Sequence, residues 1–131
     1  MMRAVVLLVA ALSGSAFAAQ PQPDAQGAYR LGLMHRNGAG VPKDAAHAAS
    51  LIGIAAQGQI PAAMFTLSNM LAAGEGVTRD QAAARRWLED AAALGYAPAL
   101  QQLALTEPDP RKAALLMRQA GHALQHTVPD Q

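Results

Sequence analysis

The chain has 131 residues, ten Lys and Arg against nine Asp and Glu, and no cysteine. That length suits one small domain. The near-neutral balance leaves no electrostatic footprint for nucleic acid or an anionic membrane, and without thiols stability has to come from packing alone. The hydrophobic share of 52% is largely alanine, which suits close helix packing rather than an apolar surface.

The chain begins with a targeting pattern. Arg3 gives a positive start, Ala4 to Leu12 form a short apolar core, and Ala16-Phe17-Ala18 places small residues where a signal peptidase reads. Cleavage is expected after Ala18, with Ala19 as the near alternative. The apolar run is well short of the roughly 20 residues that span a bilayer. Residues 1–18 therefore read as a removed export signal, with no membrane insertion afterwards. The destination is periplasmic or secreted, in a bacterium. No cysteine follows the apolar core, which excludes lipoprotein attachment. Of the charged groups only Arg3 leaves with the signal, so the remainder balances nine basic side chains against nine acidic ones.

Residues 19–24 are a Pro/Gln spacer ending in Asp24, a helix cap. Helices are then predicted at about 25–37, 45–57, 61–73, 81–94, 98–105 and 110–120, with a tail from Gly121 that adds a partial helix over the last open face. On the fourth helix, Arg85–Glu89 and Arg86–Asp90 are expected as i,i+4 pairs, each contributing only tenths of a kcal/mol.

These helices belong to a repeat. Shifting the chain by 36 residues lays Tyr29 on Phe65, Leu31 on Leu67, Gly38 on Gly74, Gly40 on Gly76, Val41 on Val77, Asp44 on Asp80 and Ala48 on Ala84. A third copy keeps Leu103-Ala104, lacks the Gly-x-Gly-Val turn and resumes at Asp109-Pro110. A period of that length around a glycine turn signals stacked helical hairpins. Gly38 and Gly74 stop the first helix in the left-handed conformation, and Gly40 and Gly76 allow the tight reversal. Val41 and Val77 turn inward. Asp44, Asp80 and Asp109 accept hydrogen bonds from free N–H groups at the next helix start. Ala48, Ala84 and Ala113 let paired helices approach, and Leu51, Trp87 and Leu116 fill the gap one turn on.

The run Gly38-Ala39-Gly40-Val41-Pro42-Lys43-Asp44 and its copy Gly74 to Asp80, with Leu31-Gly32, Ala55-Ala56, Gly58, Ala91-Ala92 and Gly95, resemble the Sel1-like repeat family, relatives of tetratricopeptide repeats. The resemblance covers about residues 25–121: repeat one at 25–58, repeat two at 59–95, a shortened repeat three at 96–121, and a tail at 122–131. His35, Ser68 and Leu51 depart from the family pattern, and repeat one reads one residue short before Gly58. The resemblance implies an all-α, right-handed α-solenoid of about three antiparallel helix hairpins.

No chemistry-bearing constellation emerges from the residues. Ser50 and Ser68 fall inside helices as packing residues. The glycine turns lack the Gly-Lys-Ser/Thr of a phosphate loop. The capping aspartates are spread along the stack and cannot converge on one atom. His122 and His126 share a helix face but have no third ligand, and His35 and His47 sit on opposite helices of the first hairpin, with His35 at a core-type repeat position as a packing histidine. No catalytic residue, cofactor or metal is expected.

What remains is the surface formed by the first helices. By resemblance to tetratricopeptide repeats, a concave groove is lined by Tyr29, Leu33, Arg36 and Asn37, then Phe65, Asn69 and Ala73, then Gln101. Aromatics beside an arginine and an asparagine suit peptide binding. Tyr29 and Phe65 can equally be interhelical core. The resemblance implies a non-enzymatic adaptor that binds a segment of another protein. The alternatives are weak self-association through the open ends and the β-lactam hydrolysis assigned to cysteine-rich relatives, whose cysteines this chain lacks.

Overall fold

Four aspartates set the helix starts. The Oδ1 atoms of Asp24, Asp44, Asp80 and Asp109 accept hydrogen bonds from the backbone N–H groups of Gly27, His47, Ala83 and Arg111 at 2.6, 3.0, 3.0 and 2.9 Å. In the computed structural model, which describes residues 23–126, they begin α1 (Ala25–Asn37), α2 (Ala45–Gln57), α4 (Gln81–Ala93) and α6 (Pro110–Gln125). The other two helices, α3 (Pro61–Ala73) and α5 (Ala97–Thr106), have no side-chain cap and carry a proline in the first turn instead. A missing N–H costs nothing there and the fixed φ suits the helix. The proposed signal of residues 1–18, most of the spacer and the end of the tail lie outside the described residues.

The two glycine turns are built alike. Gly38 and Gly74 sit at φ 68° and 69°, and Gly40 and Gly76 at 77° and 70°. The next N–H reaches back in each: Ala39 to the Met34 carbonyl and Glu75 to the Met70 carbonyl, both at 2.9 Å. The capping aspartate then closes the turn, with Asp44 N–H on His35 O at 2.9 Å and Asp80 N–H on Leu71 O at 3.0 Å. Every bond recurs 36 residues on, so the punctuation in the sequence corresponds to one repeated geometry.

The helices pack as three antiparallel hairpins, α1 on α2, α3 on α4 and α5 on α6, stacked through α2 on α3 and α4 on α5. No strand occurs among the described residues. The core is made of small and medium side chains. Ala28, Ala48, Ile52, Ala55, Ala56, Ala63 and Met70 are all at 0% exposure. Burying a side chain the size of Ile52 or Met70 stabilises by about 1.5–3 kcal/mol. Alanine sets how closely the helices approach. At Gly32 a Cβ would stand 2.7 Å from Ile52 Cγ1, so repeat one requires glycine there. Repeat two has Ser68 instead, whose buried Oγ donates to the Ala84 carbonyl at 2.7 Å. The departure from Gly to Ser is thus accommodated by an interhelical hydrogen bond.

Four expectations need correction. Helix α6 continues past Ala120 to Gln125, because Gly121 keeps a helical backbone rather than a left-handed one. Helix α5 is a residue longer at each end than expected, and α4 one shorter. Repeat one is not a residue short. The left-handed residue matching Gly95 (φ 78°) is Gln59 (φ 65°), 36 positions earlier, while Gly58 stays at φ −76°. Gly58 is glycine because a Cβ there would meet Ala25 Cβ at 2.5 Å. Finally, Arg85 pairs with Glu89 at 2.7 Å as expected, but no Arg86–Asp90 ion pair forms among the described residues.

Candidate partner-binding face

The first helices α1, α3 and α5 carry the residues expected to line a groove. Tyr29 and Phe65 are half-buried and pack against the core, each presenting part of its ring to solvent. A third aromatic joins them. Tyr96, the residue before α5, has its ring 5.6 Å from that of Phe65 at a 59° tilt. Partial burial, and then the nearby Tyr29 phenol, push the Tyr96 hydroxyl pKa up. Gln101, on the Tyr29–Phe65 row by register, is exposed. Sequence reasoning missed Tyr96 because its counterpart in repeat two is Ile60, an ordinary apolar residue.

Arg36 is engaged within the array. Its Nε and Nη2 donate to Glu75 Oε1 and Oε2 at 2.9 and 3.0 Å, a bidentate pair from the end of α1 to the turn of repeat two. The two side chains are 31% and 33% exposed. The hydrogen bonds from Arg36 hold the Glu75 carboxyl below the usual carboxylate range, opposed by partial burial. The same bonds raise the Arg36 guanidinium pKa. The guanidinium therefore clips repeat one to repeat two.

Asn69 is half-buried and accepts a long, weak hydrogen bond of 3.5 Å from Gln102 Nε2, linking α3 to α5. Leu33 is half-buried, and Asn37 and Ala73 are exposed. Leu33 and Asn69 belong to a row whose third member, 36 residues further, is Leu105. It is 80% exposed, the most exposed large apolar side chain among the described residues. The period alone would have found it. The turn residues have structural roles: Gly38, Gly40, Gly74 and Gly76 take positive φ, and Asp44, Asp80 and Asp109 cap. Val77 packs against the core and Val41 is half-buried.

A cleft opens between α3, α4 and α5, lined by Ser68, Ala72, Gln81, Leu88 and Thr106 among others. At the equivalent place in the first junction, beside Ala45, stands the glycine turn of repeat two. There the Gly76 turn lies so near the start of α2 that a Cβ would collide with the Ala45 carbonyl. Repeat three has no such turn, and its α5 runs into Glu107-Pro108-Asp109 directly.

The hydroxyls in the helices are occupied by backbone carbonyls: Ser50 Oγ on Ala46 O at 3.3 Å, Thr66 Oγ1 on Ala62 O at 2.8 Å. His35 Nδ1 lies 3.2 Å from Pro42 O, and its ring meets His47 edge-on at 4.5 Å. No group of three or more His, Cys, Asp or Glu is placed to hold a metal among the described residues. No described helix is long and apolar enough to cross a membrane.

Comparison with known proteins places this arrangement. The Sel1 repeat pattern matches residues 25–59, 61–96 and 100–123. Among solved structures, a Sel1 repeat protein from Oxalobacter formigenes superposes with a TM-score of 0.73 at 26% identity, over 78% of this chain and 46% of that one. The protein c5321, a protective antigen present in uropathogenic Escherichia coli strains and displaying an SLR fold, superposes with a TM-score of 0.69 at 30% identity, over 75% of this chain and 22% of that one. The chain thus spans less than half the length of these structures. No curated protein matches it. Three matches along the chain, the first two on hairpins with the same glycine turn and all three with a capping aspartate before the second helix, establish that the chain belongs to the Sel1 repeat family.

Proposed function

We propose that this protein is an exported, non-enzymatic adaptor of the bacterial periplasm that binds a segment of another protein along the first-helix face. The Sel1 repeat fold is commonly a protein–protein interaction module and generally a non-catalytic scaffold. The observation that carries the reading is Leu105, 80% exposed on the row it shares with Leu33 and Asn69. A large apolar side chain held out on a rigid helix, on a face whose other end carries half-buried aromatics, is an anchor point for a partner. Tyr29, Phe65 and Tyr96 form one end of the face, Asn37 and Ala73 the other, and Asn69 and Gln101 supply polar contacts between. Arg36 keeps the first two repeats in register and so shapes the face from beneath. Export rests on the pattern in residues 1–18.

The test is an affinity pull-down from envelope extract with the tagged chain as bait. A parallel bait carries Leu105→Asp and Gln101→Ala, both at exposed positions, with its helicity checked by circular dichroism. A protein retained by the first bait and lost from the second supports the reading. One retained equally by both refutes this face as the binding site. Fractionation of the producing cells, with N-terminal sequencing, tests export: a cytoplasmic chain still starting at Met1 would overturn it.

A further inference from the structure

The second helices carry a row that is covered twice and then left open. Counted from the capping aspartates, Ile52 and Leu88 hold the same position and are 0% and 5% exposed. Ile52 faces α1 of its own hairpin, where a Cβ at Gly32 would meet its Cγ1, and Leu88 lines the cleft between α3 and α5. The first helix of the following repeat packs on each second helix, α3 on α2 and α5 on α4. The third member of the row is Met117 on α6, at 49% exposure. No described helix follows α6. Ala114 and Gly121 are exposed beside Met117, whereas their counterparts in repeat one, Ala49 and Ala56, are buried. Positions 114, 117 and 121 are spaced i, i+3, i+7, which puts them on one helix face. That face is a stripe of small and apolar residues. Its centre is the position buried at both earlier junctions, and its flanks match the small Ala49 and Ala56 of repeat one, where repeat two has exposed Arg85 and half-buried Ala92.

Its edges differ. On one side lies the core-facing row of Ala113, Leu116 and Ala120. On the other lie Arg111 and Arg118, exposed and seven residues apart, and α6 contains no Asp or Glu. We propose that this end face docks an amphipathic helix of another protein, with apolar residues against Ala114, Met117 and Gly121 and acidic side chains opposite Arg111 and Arg118. The helical form of the occupant follows from the two internal junctions, and its acidity from the charge it has to meet. A second copy of this chain is a poor occupant. End-to-end stacking brings α1 against α6, and α1 has no acidic residue and carries exposed Arg30 where α3 carries buried Thr66. The site goes beyond the first-helix face: loss of either surface leaves the other intact.

The experiment titrates the full chain into a fluorescent helical peptide built on the apolar stripe of α3, with glutamates along the edge that meets Arg111 and Arg118. A second peptide carries lysines there. The glutamate peptide binds, and the lysine peptide binds at least about tenfold more weakly. Met117→Glu abolishes binding, and the double variant Arg111→Glu, Arg118→Glu reverses the preference between peptides, with helicity confirmed in each. Leu105→Asp leaves binding unchanged, which separates this surface from the groove. No binding of the glutamate peptide, equal binding of both peptides, or a preference that survives the double arginine variant overturns the proposal. So does sedimentation of the chain with phosphatidylglycerol vesicles that is lost in that variant, which would assign the face to lipid.

Discussion

Gly40 and Gly76 are equivalent by sequence and by backbone, at φ 77° and 70°, and differ only in their neighbours. Replacing either with alanine forces a Cβ into the left-handed region, at about 1–2 kcal/mol. At Gly40 that is the whole cost, because the new Cβ meets nothing nearer than Met34 Cε at 3.9 Å. At Gly76 the Cβ collides with the Ala45 carbonyl and lies 2.8 Å from the Ala46 nitrogen. Both are helix backbone and cannot rotate away, so a further ~1–3 kcal/mol of overpacking is added. In a domain of this size, 1 kcal/mol corresponds to roughly 4–8 °C in Tm. Gly40→Ala should therefore melt about 5–10 °C below the parent, and Gly76→Ala at least about 5 °C lower again, by circular dichroism at 222 nm. Gly38→Ala and Gly74→Ala serve as the control pair. Each Cβ would sit 3.3 Å from the Cβ of Lys43 or Arg79, so their costs should match. Equal shifts for Gly40→Ala and Gly76→Ala would refute the close seating of the second turn on α2.

Gln59→Gly should raise the Tm by about 4 °C, since Gln59 occupies an exposed left-handed position that Gly95 fills in repeat two; up to ~1 kcal/mol of backbone strain is relieved, offset in part by unfolded-state entropy. An unchanged or lower Tm in thermal melts would contradict it. Glu75→Gln should destabilise by no more than ~1 kcal/mol at pH 7, a modest figure because the Arg36–Glu75 pair is partly exposed. The Glu75 pKa is lowered in the folded state, so the pair's contribution is complete above the ordinary value of 4.5 and is lost as pH falls through the folded value. Urea titrations should show the gap between parent and variant narrowing as pH is lowered below 4.5, and a gap that stays constant would rule out the ion pair as its source. Gly32→Ala should cost about 1–3 kcal/mol, because the added methyl meets Ile52 Cγ1 at 2.7 Å; chemical denaturation within a few tenths of the parent would show that α1 and α2 are less tightly apposed. A chromogenic β-lactam should be left unhydrolysed at any protein concentration, and turnover above buffer would overturn the non-enzymatic reading.

The parts of this fold that could be read from the sequence are those in which a residue answers to its own backbone. Asp44 capping His47 N–H and Gly74 taking a left-handed φ are local requirements, so they recur with the period and can be counted along the chain. What escaped was set by neighbours distant in sequence. Arg36 and Glu75 pair because they differ from their repeat equivalents, Ala72 and Ala39, and a periodic comparison averages such differences away. Gly58 resembled the terminal glycine of a repeat, yet it is small on account of Ala25 and leaves the left-handed position to Gln59. Gly121 resembled a helix stop, but nothing within 4 Å of its Cβ position forces the chain to turn, and α6 runs on to Gln125.

The third repeat shows what the missing turn had supplied. In the first junction, the turn of the next repeat brings Gly76 onto the start of α2, offers Glu75 to Arg36 and leaves Met70 at 0% exposure. In the second junction α5 stops at Thr106, the residue equivalent to Met70, which is exposed and hydrogen-bonded to Gln102 O and Leu103 O of its own helix. With no turn there, Gln81 at the start of α4 folds back onto Ala72 O at 3.0 Å and the cleft beside it stays open. Leu105, 80% exposed, sits one residue from the end of this shortened helix. The features that distinguish this surface from a regular array, an open cleft, an exposed leucine and an uncovered methionine on α6, all lie in or beside the repeat from which the turn has been lost. Restoring a Gly-Glu-Gly-Val turn between Thr106 and Asp109 should therefore close the cleft and raise stability while weakening any partner held through Leu105. A restored turn that leaves such binding unchanged would show that the partner does not depend on the irregularity of repeat three.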